Sequence, residues 1–307
     1  MRIAVIDVGT NSVLYLLAEA DGMGGVVSVH QETRTTRLGR KLASSGLIRE
    51  DDLANTIAAI REFRNLSEKQ RADRLTCVGT RVFRKAGNRD EALNAVREGA
   101  DVPVEVLSET EEAEWSFRGA VHGRGTLGSA LVADIGGGST EFTFGKGGLP
   151  EWSVSLPIGA VVLTETHFKT DPPTKEERRG LEIHIRSELA EHLLRRPDGD
   201  FEFLCSCGTA TTLAALELGL AKYDPSAVDG LELDAKTVDR WISRLRPFSL
   251  VRKRALVRTD PDRADILEAG LMILSAAMEF IPLRRVCISD RGLRFGIALR
   301  ESEKKVN

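Results

Sequence analysis

The sequence has no long basic run and no apolar segment of the length, about 18 residues, that indicates a membrane-spanning helix. It holds 43 Lys and Arg against 46 Asp and Glu, for a formal net charge of −3. Proteins dedicated to nucleic acids usually carry a basic stripe, so this composition argues against that class. The N-terminus lacks the long apolar stretch of a signal peptide. The sequence therefore predicts a cytoplasmic protein with no nucleic-acid or membrane partner.

Cysteine is scarce, and several well-known site motifs are missing. The four cysteines are Cys77, Cys205, Cys207 and Cys287. None forms a CxxC pair and most lie in apolar strand-like runs, which predicts buried reduced thiols rather than a metal site or disulfides. The sequence has no HExxH and no GxxxxGK[ST] motif, which excludes the corresponding zinc and P-loop sites. A GxGxxG match at residues 123–128 precedes a strand instead of following one, so we interpret it as a linker.

What the sequence does contain is a short pattern that occurs twice. Residues 2–12 read RIAVIDVGTNS and residues 130–140 read ALVADIGGGST. Each is an apolar run, then an Asp, then a glycine-rich stretch with hydroxyl side chains. Glycine lets backbone N–H groups approach a phosphate closely, and a strand-end carboxylate can hold Mg²⁺ or its bound water. The alternative for each Asp alone is a turn cap.

The order of predicted elements also repeats, since in each half three strands precede alternating helices and strands. This order predicts two α/β domains with mixed sheets whose central strands are parallel. The boundary falls in the glycine-rich linker, which gives domains of residues 1–124 and 125–307. Two glycine loops facing each other across a cleft would hold a metal ion and a row of phosphates.

Further candidates for an anion site lie outside the two loops. Gly208 and Thr209 follow a predicted strand and open a helix, an arrangement that favours anion binding. Arg81 stands at the matching place in the first half, and its alternative is a surface cation. Ser108 and Glu111 fit a capping box, which leaves Glu112 in the first helical turn without a structural explanation. Glu112 is therefore a candidate for orienting water, or else a solvated helix-terminal acid.

Taken together, these segments resemble the exopolyphosphatase / guanosine pentaphosphate phosphohydrolase family. The matching segments are DVGTNS, TRLGR, GTRVFRKAGN, SETEEA, DIGGGSTE, LPIGAVVLTE, CGTATT, DRADILEAG and SDRGLRFG, between residues 7 and 296. The resemblance implies two ribonuclease H-like domains of the actin-like ATPase superfamily, with mixed sheets flanked by helices and the active-site cleft between them. It also implies a homodimer.

The resemblance implies hydrolysis of a terminal phosphoanhydride in polyphosphate or guanosine pentaphosphate, with Mg²⁺ or another divalent cation. The family's catalytic glutamate falls on Glu112, assisted by Glu141, and its metal carboxylates fall on Asp134 and Glu141. The phosphate-binding residues fall on three segments and Arg81: Asp7, Gly9, Thr10, Asn11 and Ser12; Gly136, Gly137, Gly138, Ser139 and Thr140; and Gly208 with Thr209. Water would attack the terminal phosphoryl group in line.

Three positions depart from the family pattern. Many members have Arg where Leu14 and Val162 stand, and Glu where Phe295 stands. Longer members also carry a C-terminal helical extension, so we expect preference for short polyphosphate chains or modest activity. Two alternatives remain: a non-catalytic sensor of polyphosphate or an alarmone, and a superfamily kinase that uses ATP. Binding without turnover would indicate the first, and acceptor-dependent ADP formation the second.

Overall fold

The computed structural model describes residues 1–125, 128–195, 197 and 199–304. The chain forms two compact units, one made of Met1–Gly125 with the segment that begins at Arg291, the other made of the intervening residues up to Asp290. This division differs from the predicted domains 1–124 and 125–307, because the last helix joins the first unit. Among the described residues, no helix combines the length and hydropathy that crossing a bilayer requires.

The first unit contains five strands and six helices among its described residues. The strands are β1 (Arg2–Val8), β2 (Ser12–Ala20), β3 (Val26–Thr35), β4 (Arg74–Gly79) and β5 (Glu105–Val106). The helices are α1 (Leu42–Ser45), α2 (Glu50–Lys69), α3 (Arg81–Lys85), α4 (Arg89–Ala100), α5 (Glu109–Val121) and α13 (Leu293–Glu303), where α6 to α12 belong to the second unit.

The sheet of the first unit is mixed, in the order β3-β2-β1-β4-β5. Strands β1, β2 and β3 form an antiparallel meander, while β4 and β5 run parallel to β1. The carboxyl ends of β1, β4 and β5 therefore lie at one edge of the sheet. The turn after β1 and the starts of α3 and α5 follow those ends directly, so one edge collects most of the first unit's site candidates.

Strand β1 is apolar at nearly every position, because helices cover both faces of this sheet. Ala4 and Ile6 pack in a cluster with α2 and α4, and Ile3 and Val5 pack in a second cluster with α13. Helix α13 also packs on α5, where Gly119 and Gly296 allow backbone contact. A Cβ on Gly296 would overlap the Trp115 carbonyl group. The apolar face of α13 and this close approach explain why the C-terminal segment belongs to the first unit.

The second unit contains six strands and seven helices among its described residues. The strands are β6 (Ser129–Ile135), β7 (Thr140–Lys146), β8 (Leu149–Leu156), β9 (Glu202–Cys205), β10 (Glu232–Asp234) and β11 (Arg285–Ile288). The helices are α6 (Ala160–His167), α7 (Lys175–His192), α8 (Gly208–Glu217), α9 (Pro225–Val228), α10 (Ala235–Leu245), α11 (Leu250–Leu256) and α12 (Leu267–Phe280).

The second sheet has the order β10-β11-β9-β6-β7-β8 and repeats the first. Strands β6 to β8 form the antiparallel meander, and β9 and β11 run parallel to β6. Strand β10 is an addition at the edge, antiparallel to β11. The apolar helix α12 packs against α6, α7, α8 and α10 and organises the core. The expected fold class, mixed α/β sheets flanked by helices in both halves, is confirmed.

Candidate active site

The turn after β1 is a compact loop closed by its own backbone. Gly9 N–H donates to the Ser12 carbonyl group over 3.0 Å. The loop is fixed from outside by the segment 36–39, since Thr36 and Arg37 N–H donate to the Asn11 carbonyl and Gly39 N–H donates to the Thr10 carbonyl. These hydrogen bonds satisfy the carbonyl groups of the loop and fix its backbone before any ligand binds. The first predicted loop, including Asp7, Gly9, Thr10, Asn11 and Ser12, therefore forms one local structure.

Asp7 is the carboxylate at the end of β1, and it is only 7% exposed. Burial raises the pKa of Asp7 from 3.8 to about 6, although the attraction of the Arg294 guanidinium opposes this rise. Its Oδ1 is buried without a hydrogen-bond partner in the protein. A buried, unpaired carboxylate oxygen is costly in a folded protein. Such an atom is well suited to accept a bond from a water molecule that a bound ligand brings in.

Glu112 lies at the same sheet edge, because α5 follows β5. The Ser108–Glu111 capping box is present as predicted and fixes the first turn of α5. Glu112 Oε2 accepts a hydrogen bond from Arg84 Nη1 over 2.6 Å, and both side chains are less than 15% exposed. Arg84 Nη1 also donates to the Leu107 carbonyl group over 2.8 Å. The carboxylate of Glu112 is thus held in a defined position by a part-buried ion pair.

The sequence indicated Arg84, like Arg81, only as an arginine near a glycine-rich segment, and its bond to Glu112 was not predicted. Its Nε and Nη2 are buried without partners in the protein. It stands one helical turn after Arg81, which begins α3 and has no carboxylate partner among the residues described. The spacing of the two arginines in RVFR was the sequence signal, because positions three apart face the same side of a helix. The first unit thus offers the Arg84 guanidinium at Glu112 and a second one, that of Arg81, one helical turn earlier on α3.

The turn after β6 in the second unit repeats the first turn. Gly136 N–H donates to the Ser139 carbonyl over 2.9 Å, as Gly9 does to Ser12. Here the start of α6 fixes the loop: Ala160 N–H donates to the Gly136 carbonyl, and Val161 and Val162 N–H donate to the Gly137 carbonyl.

Gly159 is required for this approach of α6 to the loop, because a Cβ there would lie 2.5 Å from the backbone of Gly137 and Gly138. Thr140 differs from its prediction. It is fully buried, and its hydroxyl donates to the Ile158 carbonyl over 2.7 Å. The structure therefore gives Thr140 a role in holding the loop rather than in contacting a phosphate.

Asp134 and Glu141 are direct neighbours across β6 and β7 in the sheet register. Glu141 is 5% exposed, and its Oε1 accepts a hydrogen bond from Ser155 on β8 over 2.7 Å. In the first unit the corresponding pair is Asp7 and Leu14. The repeat is therefore chemically unequal, since the second unit has two adjacent carboxylates where the first has a carboxylate and a leucine.

The pair of Asp134 and Glu141 fits a hard divalent cation. Within the described ranges, no group of three or more His, Cys, Asp and Glu side chains is arranged to hold a metal by itself. Mg²⁺ commonly takes one or two protein carboxylates and fills its remaining positions with water and substrate phosphates. Two oxygen donors beside a glycine turn match that pattern, with Ser155 orienting one of them.

Gly208 and Thr209 begin α8 directly after β9, at the same edge as the Gly136 loop, because β9 and β6 are parallel neighbours. Gly208 lies under the Arg263 guanidinium, which a Cβ at this position would contact. Thr209 is 1% exposed and packs against Gly270 of α12. Arg263 is a second cation whose role the sequence did not predict. The tertiary fold brings it to this helix start.

The two cysteines beside this loop, Cys205 and Cys207, are free thiols, as the sequence predicted. The sulfur atoms of Cys205 and Cys207 lie 3.6 Å apart. Burial opposes ionisation, but hydrogen bonds from the Cys205 thiol and from backbone N–H groups such as that of Ala210 lower the pKa of Cys207 to about 7. Cys207 caps α8 by accepting the Ala210 N–H. These contacts give the thiols a local role in shaping the start of α8.

The three positions that depart from the family pattern have ordinary structural environments. Leu14 lies opposite Asp7 on β2 and is partly exposed. Val162 stands in the first turn of α6, and Phe295 is 3% exposed in the core between the first sheet and α13. Leucine and valine carry no charge, so positions 14 and 162 supply no cation to the glycine loops beside them.

Comparison with known proteins supports the same family. A family model described as the Ppx/GppA phosphatase family matches residues 17–305. Exopolyphosphatase 2 of Mycobacterium tuberculosis is 33% identical over 97% of this chain and 98% of its own length. Exopolyphosphatase 1 of Mycobacterium leprae is 28% identical over 100% of this chain and 91% of its own length.

Solved structures agree over nearly the full chain. The structure of the Aquifex aeolicus member of the Ppx/GppA family superposes with a TM-score of 0.81 at 32% identity, covering 98% of this chain and 97% of that one. An exopolyphosphatase-like protein superposes with a TM-score of 0.89 at 28% identity, covering 98% of both chains. With the repeated loops and Glu112 in the expected segments, the chain belongs to the Ppx/GppA phosphatase family.

Proposed function

We propose that this protein releases the terminal phosphate of inorganic polyphosphate, short chains included, or of guanosine pentaphosphate, by attack of water. Membership of the Ppx/GppA phosphatase family and exopolyphosphatase relatives along the whole chain support a phosphoanhydride hydrolase. The observation that carries the proposal is the part-buried ion pair of Glu112 and Arg84, at the sheet edge that also carries the first glycine turn. A surface glutamate without a function would not need an arginine to fix the direction of its carboxylate.

Glu112 is the proposed group that orients the attacking water. A carboxylate can accept a hydrogen bond from water and align its lone pair with the phosphorus atom. The bonds from Arg84 Nη1 to Glu112 and to the Leu107 carbonyl fix the direction of this carboxylate. This fixed geometry favours the positioning of water as the role of Glu112.

The backbone N–H groups of the glycine turns and the guanidinium of Arg81 are the proposed phosphate contacts. Charge accumulates on the phosphoryl oxygens as the bond to the leaving group breaks. Fixed N–H dipoles and cations stabilise that charge without reorganising. Asp7 is itself an acceptor, so we propose that it meets a phosphate only through a shared water molecule.

Asp134 and Glu141 are the residues that would hold Mg²⁺. When bound, the ion would neutralise phosphate charge and polarise the phosphoanhydride. Ser155 keeps Glu141 oriented by donating to Oε1 over 2.7 Å. The homodimer implied by the family resemblance and the cytoplasmic location stay proposals as well.

One assay tests this function. Phosphate release is measured from tripolyphosphate, long polyphosphate and guanosine pentaphosphate, with and without Mg²⁺. We expect Mg²⁺-dependent release by the native protein and a loss of at least about 100-fold in kcat for Glu112→Gln, with binding retained. Glu111→Gln is the matched control, because Gln also satisfies a capping box.

Other outcomes would assign a different function. Equal turnover by Glu112→Gln and the native protein contradicts the role of Glu112. Tight binding of polyphosphate or an alarmone without any phosphate release indicates a sensor. ADP formation from ATP that depends on an added sugar or carboxylic acid indicates a kinase.

A further inference from the structure

One 20-residue segment of the second unit is strongly basic although the chain as a whole is slightly acidic. Residues 240–259, RWISRLRPFSLVRKRALVRT, hold seven Arg and Lys and no Asp or Glu. The rest of the chain therefore carries about ten more negative than positive charges, since the total is −3. A separation of charge of this kind creates a local positive potential that attracts polyanions.

Two of the seven cations have carboxylate partners among the residues described. Arg240 pairs with Glu217 over 2.7 Å, and Lys253, which is buried, pairs with Glu268 over 2.6 Å. Glu268 is itself fully buried and also pairs with Arg178 of α7. The Lys253 bond anchors α11 to α12, so the exposed side chains of α11 extend from a fixed helix.

The other five cations, which we call the arginine surface, are exposed and lack carboxylate partners among the residues described. They are Arg244, Arg246, Arg252, Arg254 and Arg258. Asp171 lies beside the start of α11, but both of its carboxylate oxygens accept the Leu250 N–H. Exposed arginines that are close in sequence and lack carboxylate partners concentrate positive charge, which a polyanionic ligand would neutralise.

The aromatic side chains of this segment are covered rather than exposed. The Arg244 guanidinium lies 4.8 Å from the centre of the Trp241 ring, and Arg252 lies 5.8 Å from the centre of the Phe248 ring. Trp241 is 5% exposed. Single-stranded nucleic acids are held by exposed aromatic faces on which bases stack. The surface offers guanidinium groups without a stacking platform, which favours a polyanion that has no bases.

The arginine surface is connected to the candidate phosphate site within the same unit. Helix α11 packs against the short 3-10 turn Pro261–Arg263. Arg263 from that turn lies over Gly208, at the start of α8. A linear phosphate chain whose end lies at the Gly208 loop would therefore meet Arg263 first and the arginine surface farther out.

We propose that the arginine surface is an exosite for the outer part of long polyphosphate, an inference that rests on the proposed function of the active site. Guanidinium groups match phosphate oxygens in geometry, and Arg keeps its charge at every physiological pH. Tripolyphosphate has only three phosphoryl groups, so a molecule held at the active site leaves few or none for this surface. The exosite therefore strengthens binding of long chains and leaves the turnover of short ones unchanged.

The test is a triple variant, Arg244→Gln, Arg252→Gln and Arg254→Gln. We expect KM for long polyphosphate to rise on the order of tenfold, while kcat and the kinetics with tripolyphosphate stay unchanged. The salt dependence of long-chain binding should weaken by about one power of salt concentration per lost contact. The control is Arg61→Gln, Arg89→Gln and Arg284→Gln, which removes the same charge from exposed positions outside the surface.

Several results would overturn the exosite. Unchanged KM for long chains in the triple variant contradicts it, and so does an equal rise in the control variant. If vesicles with anionic phosphatidylserine, or single-stranded DNA, lose binding in the triple variant while polyphosphate does not, the surface serves a membrane or a nucleic acid instead. A rise in KM for tripolyphosphate as well would place these arginines in the active site.

If the proposed hydrolase function is wrong, the results differ from those that would overturn the exosite. If the native protein releases no phosphate from any chain, equilibrium binding of long polyphosphate to the native and triple-variant proteins still tests the surface. Weaker binding by the triple variant alone would then support the exosite while the hydrolase proposal falls. Circular dichroism and an unchanged Tm show that each variant is folded.

Discussion

Asp7→Asn should make the protein more stable at neutral pH while it impairs the site. Asp7 is 7% exposed, and its Oδ1 has no partner in the protein. Burial raises its pKa from 3.8 to about 6, so the ionised form is disfavoured in the folded state. At pH 7 this difference corresponds to about 3 kcal/mol. Loss of the attraction to Arg294 offsets part of it, so we expect a gain of about 1 to 3 kcal/mol.

The pH dependence distinguishes this cause from others. Between about pH 4 and pH 6 the folded state binds more protons at Asp7 than the unfolded state does, so native stability falls as pH rises through this window and then levels off. Below about pH 4 the carboxyl group is protonated in both states. The advantage of Asp7→Asn should therefore be largest above about pH 6 and vanish near pH 4.

Urea unfolding followed by circular dichroism from pH 4 to pH 8 measures the effect. Asp51→Asn is the control, because the Asp51 side chain is 83% exposed and should change stability little. A constant difference between Asp7→Asn and native protein at every pH would refute the reasoning, as would destabilisation at pH 7. Phosphate release by the stabilised variant should fall, which is the usual exchange of stability for function at a buried charge.

Three further substitutions test separate contacts. Arg84→Lys keeps the charge, but an ammonium group cannot bridge the Glu112 carboxylate and the Leu107 carbonyl as a planar guanidinium does. We therefore expect kcat to fall about 10- to 100-fold with KM little changed. An unaltered kcat contradicts the positioning role. Glu141→Gln should raise the Mg²⁺ concentration for half-maximal activity at least about tenfold, measured by metal titration, whereas an unchanged titration removes Glu141 from the metal site. Gly296→Ala should lower the free energy of unfolding by more than about 2 kcal/mol, because its Cβ overlaps the Trp115 carbonyl; urea unfolding that matches the native protein would exclude this close packing.

The sequence predicted most strands and helices, because their apolar spacing is regular. The apolar runs LTCVG and EFTFG, at residues 75–79 and 141–145, lie in the strands Arg74–Gly79 and Thr140–Lys146. The run VPVEVL at residues 102–107 also has the pattern of a strand, but the strand there is only Glu105–Val106, because only Val78 and Gly79 of β4 pair with it. Strand β10 escaped prediction, since three residues carry too little periodicity to show a pattern.

The site was predicted less completely than the fold. Glycine and carboxylate positions in the two loops could be found because their spacing is local and repeats. Arg84 and Arg263 could not be assigned in the same way, because their partners Glu112 and Gly208 lie 28 and 55 positions away in sequence. Thr140 was predicted to bind phosphate, but its hydroxyl donates to the Ile158 carbonyl group. This contact depends on the position of the loop before α6, which the sequence pattern does not show.

The sequence alone determined the duplicated order of strands, the two glycine turns with their aspartates, and the capping box that isolates Glu112, because each depends on residues only a few positions apart. The tertiary structure alone decided that α13 joins the first unit, that Arg84 holds Glu112, and that Glu141 lies beside Asp134 where Leu14 lies beside Asp7. These contacts depend on sheet register and on the close packing of distant helices, which local chain periodicity does not encode.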